Sequence, residues 1–591
     1  MGLFDFRLLS FIGIKIPPKA PWKKYYDKKY MKIRLKDENI YQYMLRKIEK
    51  HNYQDNVAIT YFGTHIKYKD FVKKVDNVAD KFLALGVKKF DIVTILSANV
   101  PEAIISFYAL NKIGAVANML HPLLSQNEIK HALNTYETKY LITLDITLKN
   151  VNKIIDDTKV ERVIIISPSD SMNLFMKIGY HFMTLKTKYK KPLNRHKYMR
   201  WSRFMRLKTD KSIYYDRTPL KDEPALILQS GGTSGTPKGI VLSNGNMNAS
   251  TVAALNAYPD LGKDDRILGI MPIFHGFGLE VSINDAFCVG AEVVLIPTFD
   301  AKKFHELLIK HKPTVLVGVP TLFEALTTNP HMDDVDLSNL KYVIAGGDTL
   351  NKQRVEKINT FLHQHGSRTN MMQGYGLTEA VAAACVDLRD LSHPGTIGIP
   401  WPGVYLGIFE PNTDNQLPYG EDGEICICGP TVMLGYYNNE AETNLTLKHH
   451  RDGNIWLHTG DIGSMDEDGF VTYKQRLKRM IITSGYNVYP SQIEEVLEKH
   501  EAIAAASVIG IPHPYKMEVP KAFIVLNKGY TLDDGLKDDL IKYCKKNLAA
   551  YSVPKDYEVM DKLPKTMVGK VHFKILKEKA MKEMRDSNGK N

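Results

Sequence analysis

The stretch 228–246, LQSGGTSGTPKGIVLSNGN, sets glycines and hydroxyl side chains around one lysine, Lys238. Glycine lets backbone N–H groups converge on an anion, hydroxyls add donors and a lysine adds positive charge. The stretch therefore predicts a phosphate-binding loop, with a plain Gly/Ser-rich linker as the alternative. It differs from the common nucleotide loop, because Pro237 precedes Lys238 and Gly239 follows it, so the lysine does not open a helix.

Three later segments hold groupings that suit a nucleotide and a metal. MMQGYGLTEA, at 371–380, offers an aromatic face for a flat base and a carboxylate for a hard cation. WLHTGD, at 456–461, ends on a carboxylate that can accept from two vicinal hydroxyls. LPKTMVGKVHF, at 563–573, adds two lysines. Each grouping alone also has an ordinary structural explanation, as a helix start, a turn or a solvated tail.

The elements that must position these segments alternate along the chain. From 66 to 85 apolar residues recur at three- and four-residue steps and Gly86 follows, which predicts an amphipathic helix. A strand-like run at 91–97 and a helix-like stretch at 101–113 come next. After 224 the runs AEVVLIP, TVLVGVP and KYVIAGG are typical of buried strands separated by helices. This pattern predicts layered α/β structure, followed after about 475 by a smaller α+β unit.

Composition predicts a globular protein of several domains. The 591 residues exceed what one hydrophobic core usually serves, and 44% are hydrophobic against 24% charged. We predict domains at 1–475 and 476–591. Five scattered cysteines argue against a disulfide framework and favour a reducing compartment, so a cytoplasmic location is expected. No stretch reaches the ~18 apolar residues that a membrane-spanning helix needs.

The net charge of +12 is concentrated in one segment. Residues 171–211 hold twelve Lys or Arg against one acid, Asp210, and interleave them with aromatic residues. Such a segment suits an anionic lipid surface or a nucleic acid, and a solvated surface excursion is equally open. The apolar N-terminus MGLFDFRLLSFIGIKI could form an interfacial helix. We therefore expect a peripheral membrane contact through 171–211 and the N-terminus.

Taken together and in this order, the four segments resemble the adenylate-forming superfamily of acyl-CoA synthetases, beetle luciferases and the adenylation domains of peptide synthetases. The resemblance covers roughly residues 40–580. It implies a large N-terminal domain of several α/β subdomains and a small mobile α+β C-terminal domain. The small domain would pivot at a hinge near Lys478.

The resemblance also implies which side chains bind ATP and its Mg²⁺. The β- and γ-phosphates would be held by the loop residues Thr233, Ser234, Gly235, Thr236 and Lys238. Tyr375 would stack on adenine, with Gly346 and Gly347 beside it. Thr378 would contact the α-phosphate and Glu379 would hold the metal.

The remaining roles fall on the C-terminal part of the chain. Asp461 would bind both ribose hydroxyls and Arg476 would support the ribose. Lys570 would be the catalyst of adenylation, and Gly485 would line the channel for the pantetheine of coenzyme A. The chain departs from the family pattern at four positions: Gly231, Asp348, Gln475 and Phe573.

The substrate is indicated by MPIFHGFGLEVS, which resembles the P-x-x-H-x-x-G segment of fatty and aryl acid activators and places His275 at the wall of the acyl pocket. Amino-acid activators supply an acidic residue hereabouts, but Glu280 lies out of register. The expected function is ATP- and Mg²⁺-dependent joining of a medium- or long-chain fatty acid to coenzyme A. An acyl-AMP ligase that loads a carrier protein is one alternative, and a basic nucleic-acid-binding protein is another, although no nucleic acid is expected as a partner.

Overall fold

The computed structural model describes residues 18–184, 194, 196–209, 220–230, 237–348, 350, 352–389, 391, 393, 395–483, 486–513, 515–565 and 571–588. Helices and strands alternate through most of this part of the chain. The α-helices are α1 Ile40–Lys50, α2 Tyr68–Leu85, α3 Pro101–Lys112, α4 Gln126–Thr135, α5 Leu148–Ile154, α6 Leu174–Thr184, α7 Trp201–Phe204, α8 Asn244–Ala257, α9 Asp285–Val289, α10 Phe304–His311, α11 Pro320–Thr328, α12 Lys352–Gln364, α13 Glu440–Thr446, α14 Pro490–Glu498, α15 Asp534–Asn547 and α16 Phe573–Asn588.

The strands are short and mostly buried. They are β1 Val57–Tyr61, β2 Thr64–Lys67, β3 Ile92–Leu96, β4 Val116–Leu120, β5 Tyr140–Leu144, β6 Arg162–Ile166, β7 Tyr198–Arg200, β8 Pro224–Gln229, β9 Gly239–Ser243, β10 Arg266–Gly269, β11 Glu292–Leu295, β12 Val315–Gly318, β13 Tyr342–Gly346, β14 Met371–Tyr375, β15 Cys385–Val386, β16 Ile399–Pro400, β17 Tyr405–Phe409, β18 Gly423–Cys428, β19 Gly435–Tyr436, β20 Leu447–His449, β21 Ile455–Met465, β22 Val471–Arg476, β23 Ile481–Thr483, β24 Tyr486–Val488, β25 Ile503–His513, β26 Met517–Leu526 and β27 Asp556–Val559.

Two large sheets and two smaller ones organise the described residues. The nine-stranded sheet has the order β16-β15-β14-β13-β12-β10-β11-β1-β2, and the eight-stranded sheet has the order β19-β9-β8-β4-β3-β5-β6-β7. Both are parallel through their central strands, which are buried on both faces and therefore read as continuous apolar runs. The smaller sheets are β17-β18-β21-β20, with β22 beside β21, and β24-β23-β26-β25, with β27 beside β26. The predicted α/β class is confirmed.

Local sequence explains where individual helices begin and end. The predicted helix at 66–85 is α2, and it ends because Gly86 takes up φ 95°, a left-handed conformation that glycine adopts without steric cost. The asparagine-rich stretch after Lys238 forms α8, whose N-cap Ser243 accepts from Asn246 N in a capping box. Helix α15 begins after Asp533, whose side chain accepts from Leu536 N. These starts and stops follow from residues within one turn of the helix end.

The chain divides into two compact units. The first unit comprises Met1–Ser230, Lys238–Leu406 and Ile427–Leu457, and the second comprises Gly231–Pro237, Gly407–Cys426 and His458–Asn591. The second unit includes strands β23 to β27 with α14 and α15 over an apolar core, as expected for the small α+β unit. The units are sets of residues in mutual contact, whereas the boundary at 475/476 concerns mobility. That boundary therefore stays a prediction.

The two predicted membrane contacts differ in how far the structure reaches them. The apolar N-terminus, residues 1–17, lies outside the described residues. Of the basic segment 171–211, the described part contains helix α6, none of whose side chains is buried. Within the described chain no helix combines the length and the apolar character needed to cross a bilayer.

Candidate active site

The phosphate loop is the connection between two paired strands of the first unit. Strands β8 and β9 are antiparallel, with Gln229 opposite Gly239. Ser230 N donates to the carbonyl of Lys238 at 2.8 Å, and Lys238 N donates to Ser230 Oγ at 2.9 Å. The hairpin therefore fixes the backbone of Lys238 at the end of the loop. The loop residues Thr233, Ser234, Gly235 and Thr236 lie outside the described residues, so their phosphate contacts stay predictions.

The side chain of Lys238 is held by an acid and an aromatic ring that the sequence motifs do not include. It forms an ion pair with Glu442 of α13. Its Nζ also lies 5.0 Å from the centroid of the Tyr436 ring, within range of a cation–π interaction. The Tyr436 hydroxyl in turn donates to Glu379 Oε1 at 3.0 Å. One tyrosine thus links the lysine of the phosphate loop to the predicted metal-binding glutamate.

Tyr436 is suited to act as a permanent donor in this chain of contacts. Burial, followed by the charge of Glu379, raises the pKa of its phenol well above the ordinary value. The phenol therefore keeps its proton at neutral pH. Because the proton stays, Tyr436 holds one oxygen of Glu379 in a fixed position.

Glu379 has the chemistry that Mg²⁺ requires. Its carbonyl accepts from Met433 N at 2.8 Å, which anchors the backbone. Its Oε1 is held by Tyr436, and in the described part of the chain Oε2 has no hydrogen-bond partner. A half-buried carboxylate with one anchored oxygen and one open oxygen is a fitting ligand for a hard cation. The residues present therefore fit the predicted metal.

A strained turn follows Glu379. Val381 has φ 70° and ψ −66°, and Ala382 N donates to the carbonyl of Ala380 at 2.9 Å, which together form a γ-turn of positive φ. A β-branched residue in this conformation costs about 1–3 kcal/mol and persists only where packing enforces it. Val381 is fully buried. The turn brings the carbonyl of Val381 against the segment that contains His275.

That neighbouring motif is the predicted wall of the acyl pocket. A Cβ on Gly276, next to His275, would lie only 1.8 Å from the carbonyl oxygen of Val381. Only glycine permits this approach, so the segment of His275 packs directly on the turn after Glu379. The next residue, Phe277, packs on Gly346, where a Cβ would lie 3.5 Å from the phenyl ring. The His275 segment thus joins two of the nucleotide motifs.

The adenine side of the site lies at one edge of the nine-stranded sheet. Strands β13 and β14 are parallel, with Gly346 opposite Gly374, so Gly346 and Tyr375 both end their strands at the carboxyl edge. Ligands of open parallel sheets bind outside this edge. Gly347 follows with φ 83°. The first unit therefore gathers Lys238, His275, Gly346, Gly347, Tyr375, Thr378 and Glu379 on a few adjoining segments.

The second unit contains the predicted ribose group. Strands β21 and β22 form an antiparallel pair in which Asp461 stands opposite Arg476. Arg476 Nε lies 2.9 Å from Asp461 Oδ1, and Asp461 is almost fully buried whereas Arg476 is half exposed. A carboxylate offers two acceptor oxygens, which suits it to two ribose hydroxyls. The register of one hairpin brings these two predicted residues together.

The turn before Asp461 is held by side chains that sequence reasoning missed. His458 Nδ1 lies 2.7 Å from Glu424 Oε2, and Gly460 N donates to Glu424 Oε1 at 2.9 Å. Against the effect of burial, the hydrogen bond and charge of His458 hold the pKa of Glu424 below its ordinary value. Cys426 lies within 4.8 Å of both groups. Because Glu424 and His458 already engage each other and the backbone, this trio is explained as support for the Thr459–Asp461 turn.

The hinge region contacts the start of the last helix. Lys478 is exposed in the short 3-10 helix Leu477–Arg479. The guanidinium carbon of Arg479 lies 3.5 Å from the centroid of the Phe573 ring. Phe573 thus packs under a cation of the hinge segment. The predicted residues Gly485 and Lys570 lie outside the described residues, and their roles stay predictions.

Comparison with known proteins identifies the family of the chain. Residues 47–437 match the family described as AMP-binding enzyme, and residues 492–570 match the AMP-binding enzyme C-terminal domain. The chain is 33% identical over 528 residues to a long-chain-fatty-acid–CoA ligase of Bacillus subtilis, a match that covers 88% of this chain and 91% of that one.

The chain belongs to the AMP-binding enzyme family. It is also 30% identical to a probable 4-coumarate–CoA ligase of Dictyostelium discoideum, over 95% of this chain and 98% of that one. The fold matches the crystal structure of ATP-bound MatB from Rhodopseudomonas palustris with a TM-score of 0.77 at 25% identity, over 92% of this chain and 99% of that one. Members of this AMP-binding family form acyl adenylates and use ATP, Mg²⁺ and coenzyme A, which confirms the cofactor prediction.

The residues that sequence reasoning missed share one property. Tyr436, Glu442, Val381, Glu424 and His458 act on the predicted residues rather than on the nucleotide. No local signal identifies Tyr436, Glu442, Glu424 or His458, because the side chains they contact are distant in the sequence. Val381 is adjacent to Glu379, but its residue type gives no indication of a positive φ.

Proposed function

We propose that this AMP-binding enzyme joins a medium- or long-chain fatty acid to coenzyme A through an acyl-AMP intermediate. The observation that carries the proposal is the chain of contacts from Lys238 through Tyr436 to Glu379. It supports a phosphate-binding cation and a metal-binding carboxylate acting on one triphosphate.

In the first half-reaction an oxygen of the fatty-acid carboxylate attacks the α-phosphorus of ATP. The bond between the α- and β-phosphates breaks, and pyrophosphate leaves with its electron pair. Lys238 binds the phosphates, Thr378 contacts the α-phosphate, and Lys570 neutralises charge on the nucleophile and the transferred group. Mg²⁺, held by Glu379, supplies charge neutralisation to the phosphates when bound. Asp461 and Arg476 fix the ribose.

In the second half-reaction the sulfur of coenzyme A attacks the carbonyl carbon of the acyl adenylate. AMP leaves with its electron pair, and the thiol proton passes to solvent or to the leaving phosphate. A mixed anhydride hydrolyses readily, so the site must exclude water during the first step and admit a thiol in the second. A pivot of the 476–591 domain near Lys478 would make this exchange, bringing Gly485 to the pantetheine channel.

A fatty acid is favoured over an amino acid by the state of Glu280. This carboxyl is fully buried and accepts from Thr251 Oγ1 at 2.7 Å and from Asn284 Nδ2 at 3.1 Å. Burial and the neighbouring Asp285 raise its pKa well above the ordinary value. A buried carboxyl whose two oxygens already accept hydrogen bonds from neighbouring side chains is poorly placed to pair with a substrate ammonium, which supports a substrate without one. The similarity to a ligase named for long-chain fatty acids favours the same substrate class.

The acceptor and the chain length are tested together. Pyrophosphate release is measured across straight-chain acids of increasing length, with benzoate and 4-coumarate as aryl comparators. The proposal expects the highest kcat/KM with a medium- or long-chain acid. Thioester formation is then compared between free coenzyme A and a phosphopantetheinyl carrier protein. Transfer to the carrier alone would replace the proposal with the acyl-AMP ligase alternative.

Lys570 is tested by separating the two half-reactions. Lys570→Ala should lower acid-dependent pyrophosphate release by about 10³-fold or more, since it removes charge stabilisation in the transition state. Added acyl-AMP should still react with coenzyme A at a near-normal rate. Lys565→Ala, in the same segment, is the matched control. Equal loss of both half-reactions would contradict the role given to Lys570.

We also propose that helix α6 attaches the enzyme to an anionic membrane surface. It exposes the large apolar side chains Leu174, Phe175, Met176, Ile178, Phe182 and Met183. It lies in the segment 171–211 with its twelve cations, so apolar and charged groups suited to a lipid surface occur together. Liposome flotation tests this: Phe175→Ser with Phe182→Ser should release the enzyme from anionic vesicles. A nucleic-acid partner predicts instead salt-dependent RNA binding that survives Lys570→Ala.

A further inference from the structure

A second strongly cationic site lies in the first unit, away from the residues proposed to bind ATP. A cavity of about 760 Å³ opens between the segment 28–34, helix α1 and the last turn of α8. Its volume falls in the range of ligand pockets, about 300–1,000 Å³. Six cationic side chains line it: Lys28, Lys29, Lys32, Arg34, Arg46 and Lys47. Neither Lys238 nor Glu379 is part of its wall.

Few of these cations are neutralised. Arg46 Nε donates to Glu38 Oε2 at 2.9 Å, and Lys29 Nζ lies 3.1 Å from Asp27. Across the described residues, the other four lining cations have no carboxylate within 4.0 Å. Like charges that converge on a concave surface repel one another unless an anion binds between them. The cavity therefore carries an uncompensated surplus of about four positive charges.

Lys47 shows how this surplus acts on one side chain. Its ammonium is half buried, and burial first, then the charges of Arg46 and Lys50, lower its pKa. A bound anion would offset both effects. The same lysine lies 5.4 Å from the centroid of the Tyr43 ring, so the cation stands where polar and apolar walls meet.

The remaining lining residues are uncharged. They are Tyr43 of α1 and Val252, Leu255 and Asn256 of α8, and Asn256 Nδ2 donates to the carbonyl of Tyr30 at 2.9 Å. This bond joins the segment 28–34 to α8 and fixes the cavity's shape. A ligand that fits has a multiply charged anionic head and a small apolar part. Phosphate esters meet the charge requirement, since they carry about −1.5 to −2 at neutral pH and match the fork of an arginine.

We propose that this cavity is a second anion site, which takes the phosphate head of a phosphomonoester. The ester reaches it either as the headgroup of a membrane lipid or as a soluble molecule, and both present the same phosphomonoester. The site is distinct from the proposed catalytic centre and needs none of its residues.

The test uses the full-length enzyme with two probes: glycerol 3-phosphate, and vesicles of phosphatidylcholine with and without phosphatidic acid. Binding is measured by calorimetry for the soluble probe and by flotation for the vesicles. The cavity variant is Lys32→Glu with Arg34→Glu, both exposed and outside helices. The control variant, Lys528→Glu with Lys562→Glu, makes the same charge change at exposed positions of the second unit.

The cavity variant should weaken binding by about tenfold or more, and the control should not. Lys47→Met, which keeps the aliphatic stem, should act in the same direction. Cavity-dependent binding of glycerol 3-phosphate identifies a soluble ligand, and cavity-dependent binding of vesicles alone identifies a headgroup. The proposal is overturned if neither probe binds, if the control weakens binding equally, or if only Lys238→Ala abolishes it.

Discussion

The predicted site residues form two groups, one in each unit, and the two groups are held in different ways. In the first unit, Lys238 and Glu379 come from segments far apart in the sequence and meet through a third residue, Tyr436. In the second unit, Asp461 and Arg476 face each other across one hairpin and touch directly. The group in the first unit depends on packing among many elements, whereas the group in the second unit depends on the register of two strands.

The two groups should respond differently when one of their side chains is substituted. A hairpin pair is fixed by a local ladder, so removing one charge leaves the backbone in place. An assembly through a buried tyrosine is tied to its surroundings, and the strained turn at Val381 indicates that packing over-determines it. Substitutions in the two groups should therefore differ in the size of their effect on activity and in whether they disturb the surrounding packing.

The largest effect is expected at Asp461. Asp461→Asn removes the charged acceptor for two ribose hydroxyls and should lower kcat/KM for ATP by about 10²- to 10⁴-fold, since each such hydrogen bond contributes about 1.5–3 kcal/mol. Adenylation kinetics measure this, and thermal unfolding checks that the fold persists. Asp468→Asn, an exposed acid of the same hairpin, is the matched control. A loss below tenfold would contradict the ribose assignment.

A smaller effect is expected at Glu379. Glu379→Gln keeps the hydrogen bond from Tyr436 but weakens the proposed metal ligand, so activity at fixed Mg²⁺ should fall by about 100-fold. The loss should recover in part as Mg²⁺ is raised, which a purely structural defect would not do. Glu440→Gln, an exposed acid in α13, serves as the control. A loss of activity that is the same at every Mg²⁺ concentration would contradict the assignment of Glu379 as a metal ligand.

The smallest effect is expected at Glu442. The direction of the change in the KM for ATP shows whether Glu442 competes with phosphate for Lys238 or orients it. The ion pair between Lys238 and Glu442 must break before the ammonium of Lys238 can bind a phosphate of ATP. A half-exposed pair contributes up to about 1 kcal/mol, so Glu442→Gln should lower the KM for ATP by up to about fivefold without changing kcat. Initial-rate kinetics at varied ATP measure it. A higher KM would mean that Glu442 orients Lys238 for phosphate instead of competing with it.

Much of the fold could be predicted from the sequence because its signals are local. Helix α2 occupies Tyr68–Leu85 within the predicted range 66–85, since apolar spacing and Gly86 specify both its face and its end. The buried strands β11, β12 and β13 fall within the predicted apolar runs. The strand order of the two large sheets, such as β1 beside β11, could not be predicted, because these pairing partners are distant in the sequence and are chosen by tertiary contacts.

The amino-acid sequence alone predicted which segments could carry chemistry and which side chains a nucleotide and a metal would need, and it determined the order of those segments. Only the tertiary structure decided that Tyr436 connects Lys238 to Glu379, that Glu442 occupies the lysine, and that six cations converge on a second cavity. The physical reason is that residue type and spacing act within a few turns of chain. Contacts between distant residues arise from packing, register and burial, which no local pattern encodes.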